Sequence, residues 1–200
     1  MSENQPHPAS PADTATEPGF APLAFDGFAG WNMIGSGKFI EIGDGIIESE
    51  GGPGLLWYTQ RQFADFILRL EWQASAQTDN SGVFIRFPDP GNSLDIPIRQ
   101  GYEVQIDNIG KNPEAGTEND PLHMTGAIYK LAPSLAAPEV GRWHSFEIEA
   151  NGPAITVRLD GAQVSRLENA SRSPCGYIGL QNHHAGSRVR FARLRIKELS

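Results

Sequence analysis

The chain is poor in cysteine, in basic residues and in long apolar runs. Its single cysteine among 200 residues, Cys175, has no internal partner, so no disulfide framework holds the fold. No helix start or basic cluster flanks Cys175 to activate its thiol, which reads as a small filler. Sixteen Lys and Arg face 24 Asp and Glu, a formal charge of -8 that opposes nucleic acid and anionic lipid surfaces as partners. No segment approaches the roughly 20 apolar residues that span a bilayer, so membrane insertion is not expected. Met1 to Pro18 lacks both a basic leader and the apolar run of a secretory signal. Its Pro, Ala, Ser, Thr and acidic residues bury too little to offset ordering entropy, so residues 1–20 are expected to form a disordered tail ahead of one domain over 21–200. The chain as it stands is expected to be cytoplasmic, or exported if a leader has been removed. Oligomeric state is not legible.

What is present is a period of two. Phe66, Leu68, Leu70 and Trp72 alternate with Ile67, Arg69, Glu71 and Gln73, and Ile155, Val157 and Leu159 alternate with Thr156, Arg158 and Asp160. Further strands are expected near Phe39 to Ile42, Ile46 to Ser49, Leu55 to Thr59, Val83 to Phe87, Ala127 to Leu131, Phe146 to Glu149, Gln163 to Leu167, Gly176 to Asn182 and Arg188 to Lys197. Asp44-Gly45 and Asp160-Gly161 stand between apolar runs where a two-residue hairpin turn needs positive φ twice. About a dozen short strands without crossover helices imply an all-β fold, an antiparallel β-sandwich. In the last strand Val189 and Phe191 give way to Leu194 and Ile196, a change of parity that requires a bulge near Ala192. Two stretches, Pro88 to Gln100 and Asn108 to Thr125, read as long loops, which in a compact domain are usually functional or mobile.

Those loops flank G-Y-E-V-Q-I-D, Gly101 to Asp107. On a strand Tyr102, Val104 and Ile106 face one way and Glu103, Gln105 and Asp107 the other. A row of carboxylate, amide and carboxylate suits the hydroxyls of a sugar; the plainer alternative is a solvated outer face. The same alternation puts Val83, Ile85 and Phe87 in a core with Phe84 and Arg86 opposite, and Ile178 and Leu180 in a core with Gln181 and His183 opposite. Arg86, Glu103, Gln105, Asp107, Gln181 and His183 are therefore expected to meet in one groove. Trp57, Tyr58 and Tyr129 are candidates for flat surfaces against a pyranose ring, with core packing the alternative for each.

N-S-G-V-F-I-R (Asn80 to Arg86), G-Y-E-V-Q-I-D, T-G-A-I-Y (Thr125 to Tyr129), G-R-W-H-S-F-E-I (Gly141 to Ile148), L-D-G (Leu159 to Gly161) and G-L-Q-N-H (Gly179 to His183) follow one another in an order that resembles the 3-keto-disaccharide hydrolase family, over about Leu23 to Leu199. The resemblance implies a concanavalin A-like jelly roll with a concave sugar-binding face and a 3-keto-glycoside or 3-keto-disaccharide as substrate. The chain departs from the family in lacking a visible leader, and in His184, which stands where relatives often have glycine.

In such a substrate the ketone acidifies the hydrogen at C2; its loss expels the C1 group, and water then adds to the enone. The route needs a base near C2, a donor or cation at the ketone oxygen and an acid at the leaving group. By residue type Arg86 suits the enolate, Glu103 or His183 the base, and Asp107 or His183 the leaving group. Trp57, Gln105, His123, Tyr129 and Gln181 are the candidates for binding. A conventional glycosidase needs two carboxyl groups within about 5 to 9.5 Å, whereas Glu103 and Asp107 lie four residues apart, roughly 13 Å along a strand.

No cofactor is called for, and a divalent metal has thin support. His183 and His184, if extended, face opposite sides, leaving His123 beside Asp120 as the one plausible partner; a calcium site from Asp89, Asp95 or Asp107 is equally conjectural. The rival reading is a carbohydrate-binding module without catalysis, because the fold hosts both.

Overall fold

A computed structural model describes residues 17–199. The tail expected to be disordered lies almost wholly outside the described residues. Among the described residues thirteen strands follow one another: β1 (Ala21–Pro22), β2 (Trp31–Gly35), β3 (Lys38–Gly43), β4 (Ile46–Glu50), β5 (Gly54–Tyr58), β6 (Phe66–Ala74), β7 (Asn80–Phe87), β8 (Tyr102–Asp107), β9 (His144–Asn151), β10 (Ala154–Leu159), β11 (Ala162–Leu167), β12 (Tyr177–Asn182) and β13 (Val189–Glu198). The one α-helix among the described residues is short: α1, Asp95–Gln100, between β7 and β8. None is long and apolar enough to cross a membrane.

Every strand pairing is antiparallel. One sheet of eight strands runs β11-β10-β9-β6-β13-β4-β3, with β1 also on β13; the other, of five, runs β2-β5-β12-β7-β8. Their inner faces meet in one apolar layer. From the larger sheet come Leu68, Leu70, Trp72, Phe146, Ile148, Ile155 and Phe191; from the smaller come Val83, Ile85, Val104, Ile106, Ile178 and Leu180. Burying each such side chain contributes about 1.5–3 kcal/mol, which is why the period-two pattern is decisive: a one-residue slip would carry a whole row to water.

Both Asp-Gly turns adopt positive φ at both residues, 53° and 68° at Asp44-Gly45 and 49° and 82° at Asp160-Gly161. The bulge expected near Ala192 is present: the β13–β6 register shifts between Ala192 and Arg195, with Arg193 at φ 51°. Three details differ from the sequence reading. Trp31–Gly35 is a strand that its non-alternating composition conceals. Ala127 to Leu131 is not a full strand but lies along the free edge of β8, with the Tyr129 N–H on the Glu103 carbonyl at 2.9 Å and a bridge from Ile128 to Val104. The loop read between Pro88 and Gln100 contains α1. The third residue of that helix, Pro97, sits in the first turn, where no intrahelical donor is needed. Gly101 follows because a Cβ there would come within 2.6 Å of the Phe87 Cβ; its absence lets α1 pack down onto β7.

Candidate functional site

The outer face of the five-stranded sheet carries the site, and cross-strand register orders it into rows. In one row Asn32 of β2, Trp57 of β5, Gly179 of β12, Phe84 of β7 and Glu103 of β8 lie side by side. One step along, Ile34, Leu55, Gln181, Gly82 and Gln105 do the same. At the end of the strands Asn80 pairs with Asp107, and His183, the residue after β12, lines the cavity with Asn80. Over these rows opens a cavity of about 430 Å³. Its polar wall is Asn80, Glu103, Gln105, Lys111, Gln181, Asn182 and His183; its apolar wall is Leu55, Phe84, Leu94, Ile98 and Pro113, with Tyr129 at one side.

Glu103 is 4% exposed, and no salt bridge reaches it among the described residues. Gly82 makes room for it, since a Cβ there would stand 2.5 Å from the Glu103 Oε1. Burial drives its pKa up to about 8, against the smaller lowering effect of a hydrogen bond from Gln181. Around it, Asn80 Oδ1, Gln105 Oε1 and Gln181 Oε1 are buried acceptors with no hydrogen-bond partner. Native interiors leave few such atoms, because each costs about 1–3 kcal/mol.

His183, at the rim, is displaced below the ordinary histidine pKa, first by desolvation and then by the adjacent His184, with Asp107 opposing. The two imidazoles do not face opposite sides as the extended reading required. The chain leaves β12 at Asn182, alternation stops, and their Nδ1 atoms stand 3.1 Å apart with rings at 89°. Among the described residues no group of three or more His, Cys, Asp or Glu gathers as a metal site.

Arg86 is a correction. β7 sets three steps, Phe84 to Phe87, against two on β12, Gly179 to Tyr177; Arg86 absorbs the extra residue at φ 51°. Its guanidinium turns away from the cavity and donates to the Ala64 carbonyl at 2.7 Å, the Gly152 carbonyl at 2.8 Å and Asp65 Oδ1 at 2.7 Å. It is a buried clasp between loops of the larger sheet. The same bulge moves Phe87 from the inner core to the outer cluster with Trp57 and Phe84.

Asp107 is on the expected face, but its oxygens are occupied. They accept the N–H groups of Ile109, Gly110 and Lys111 at 2.8, 3.0 and 3.1 Å, and the Asn80 amide at 3.1 Å. These bonds shape the loop that follows, and Asp107 is not among the residues that line the cavity. The loop it shapes brings Lys111 and Pro113 onto the cavity wall, and Lys111 is a cation that sequence reasoning missed. Trp57 packs edge-on to Tyr177, ring centroids 4.7 Å apart, behind the wall rather than on it. Tyr58 packs against Trp31 and Phe63 on the inner side. His123 is buried behind Tyr129, its ring edge-on at 4.9 Å and its Nδ1 3.3 Å from Asp120. The cavity thus unites Glu103, Gln105, Gln181, His183 and Tyr129 and excludes Arg86, Trp57 and His123 from direct contact.

The model of a 3-keto-alpha-glucoside-1,2-lyase-like domain matches residues 21–197. The chain belongs to that family. No curated protein matches it. Among solved structures, two from Parabacteroides distasonis ATCC 8503, each titled a "putative glycosyl hydrolase", share the fold of this lyase-like chain. One has a TM-score of 0.72 at 20% identity over 91% of this chain and 95% of its own; the other has 0.73 at 22% over 90% and 99%. A carbohydrate binding module, CBM66 from Bacillus subtilis, aligns with a TM-score of 0.59 at 14% identity over 84% of this chain and 96% of its own. At these identities the likeness speaks for the jelly-roll sandwich alone.

Proposed function

We propose that this lyase-like domain binds a 3-keto-glycoside and cleaves it by proton loss at C2, expulsion of the C1 substituent and hydration of the resulting enone. Glu103 carries the reading: a carboxyl group buried beneath a sugar-sized cavity, without a cation, among amide oxygens that lack partners. Orphaned acceptors call for donors, which the hydroxyls of a sugar supply. The C3 ketone is the opposite case, an acceptor that needs a donor or cation, and Lys111 stands on the same wall.

With its pKa near 8, Glu103 holds its proton at pH 7 in a ratio of about 10:1. It is the acid of the pair. His183, displaced downward, is a neutral imidazole at that pH and is the base. Both side chains line the same cavity, so a sugar held there meets the two together.

His183 takes the C2 proton, and the electrons of that bond pass into C2–C3 to leave an enolate whose oxygen meets Lys111. The enolate then collapses to form C1=C2 and breaks the C1–O bond; the departing oxygen takes the proton of Glu103. Water adds at C1, returning a proton to Glu103, while the His183 imidazolium reprotonates C2. The sum is one glycoside and one water consumed, one 3-keto sugar and one alcohol formed.

The fold shared with CBM66 favours a second reading, a module that binds sugar without cleaving it. A module for neutral sugars has no use for an unpaired buried carboxyl, which costs desolvation and returns nothing. Matched 3-keto and unoxidised glucosides in deuterated water separate the cases. Alcohol release from the 3-keto sugar alone, with deuterium at C2, is expected. Release from both without exchange at C2 would revive the conventional glycosidase, and binding without release from either would leave the module.

A further inference from the structure

The cavity is divided along its length, and the division bears on what leaves from C1. On one side of the Glu103 row lie the orphaned amides of Gln105, Gln181 and Asn80 and the rim histidine. Phe84, beside Glu103 in that row, is the floor where the polar rows end, and beyond it α1 closes the wall. Leu94, immediately before α1, and Ile98 within it pack half-buried against the cluster of Leu55, Phe84 and Phe87. No charged side chain of α1 lines this end; its Asp95 and Arg99 are exposed outside the wall.

Resting on the elimination reading above, we infer that the group released from C1 is apolar, an aryl or alkyl alcohol rather than a second sugar. The sugar that loses its C2 proton needs the acceptor-rich end, because its hydroxyls satisfy atoms that otherwise stay unpaired. Glu103 lies at the boundary, where the bridging oxygen between C1 and the leaving group would sit and take its proton. Whatever lies beyond that oxygen meets Phe84, Leu94 and Ile98. A second pyranose there would lose water from its hydroxyls against side chains that offer no hydrogen bond, whereas a ring of carbon would exchange water for contact.

The comparison that tests this uses 3-keto-glucosides carrying methyl, benzyl or glucosyl at C1, in both anomers. Benzyl and methyl alcohols are of nearly equal acidity, so their ratio reports contact rather than leaving-group strength. The benzyl compound is expected to exceed the methyl in kcat/KM by about 10-fold or more, the range that an apolar pocket gives for added carbon, and the glucosyl compound to fall at or below the methyl. In the double variant Leu94→Asn, Ile98→Asn the benzyl-to-methyl ratio is expected to collapse toward one. A glucosyl compound processed as well as or better than the benzyl overturns the inference while leaving the elimination intact. If none of the three is turned over, the elimination is wrong, and calorimetry of the unoxidised glucosides decides the slot separately: tighter binding of benzyl than of methyl glucoside supports it, and equal binding overturns it.

Discussion

The two outer faces of the sandwich carry polar residues in opposite conditions. On the eight-stranded sheet charges are paired. Arg69 bonds Glu147 at 2.7 Å, Arg158 bonds Glu147 at 2.9 Å and approaches Glu149 at 3.4 Å, Arg193 bonds Glu71 at 2.7 Å, and Glu48 takes both Arg188 and Arg190. On the five-stranded sheet Glu103 has no cation, and four amide oxygens, those of Asn80, Gln105, Gln181 and Asn182, have no donor. Paired charges on a solvated face have satisfied one another and ask nothing of a ligand. Unpaired groups lining a cavity hold a free-energy cost that a ligand of the right chemistry relieves, so the face with unmet hydrogen bonds is the candidate functional face.

The sharpest way to break this contrast is Glu103→Gln, which keeps shape and neutrality but removes the proton. Turnover of a 3-keto-glucoside is expected to fall about 10²- to 10⁴-fold, as for loss of a general acid, with the fold intact by circular dichroism. A variant that retains full activity would return Glu103 to the category of structural residues. The same substitution has a pH signature. The folded-state pKa lies above the ordinary 4.5, so between about 4.5 and 8 the unfolded chain releases a proton that the folded one keeps. Stability due to this group is therefore present at low pH, declines as pH rises to about 8 and is then flat; melting temperatures measured across that window should lose the slope in Glu103→Gln. Activity should fall at the alkaline side near 8, where the acid ionises, and at the acid side below the ordinary histidine value, where His183 gains its proton.

Next in size is Arg86→Met. Removing the guanidinium leaves the Ala64 and Gly152 carbonyls and Asp65 without their donor. Denaturant unfolding should register a loss of about 3 kcal/mol, while the folded fraction keeps its KM. A specific loss of kcat without a loss of stability would restore Arg86 to the chemistry. Gln105→Met tests the unpaired face in the other direction: deleting an orphaned acceptor should raise stability by about 1 kcal/mol and raise KM severalfold, and a stability loss would mean the amide already has a partner in solution. The smallest effect belongs to the paired face. Glu147→Gln should change stability by less than about 1 kcal/mol, less still in high salt, and leave turnover unchanged.

Much of this fold is legible in the sequence. Alternation around Phe66 to Trp72 and Ile155 to Leu159, two Asp-Gly turns and the parity break in β13 define an antiparallel sandwich, because each depends on neighbours within a few residues. The polar face of Gly101 to Asp107 is local too, as is the outward direction of Gln181. Arg86 was misread because N-S-G-V-F-I-R-F alternates without interruption, and a bulge at a non-glycine residue leaves no turn chemistry to betray it. Lys111 and the engagement of Asp107 were invisible for a different reason: both arise from backbone N–H groups folding back onto a side chain, which no residue pattern encodes.

By itself, then, the sequence determined which residues face in and which face out along most strands, because side-chain direction follows from the local period of the backbone. Tertiary structure alone decided which outward rows become neighbours, where the strand parity of β7 breaks, and which of the polar groups find partners. The energy of a carboxyl such as Glu103 depends on what the other strands, α1 and the loop after Asp107 bring against it, and those contacts are long-range.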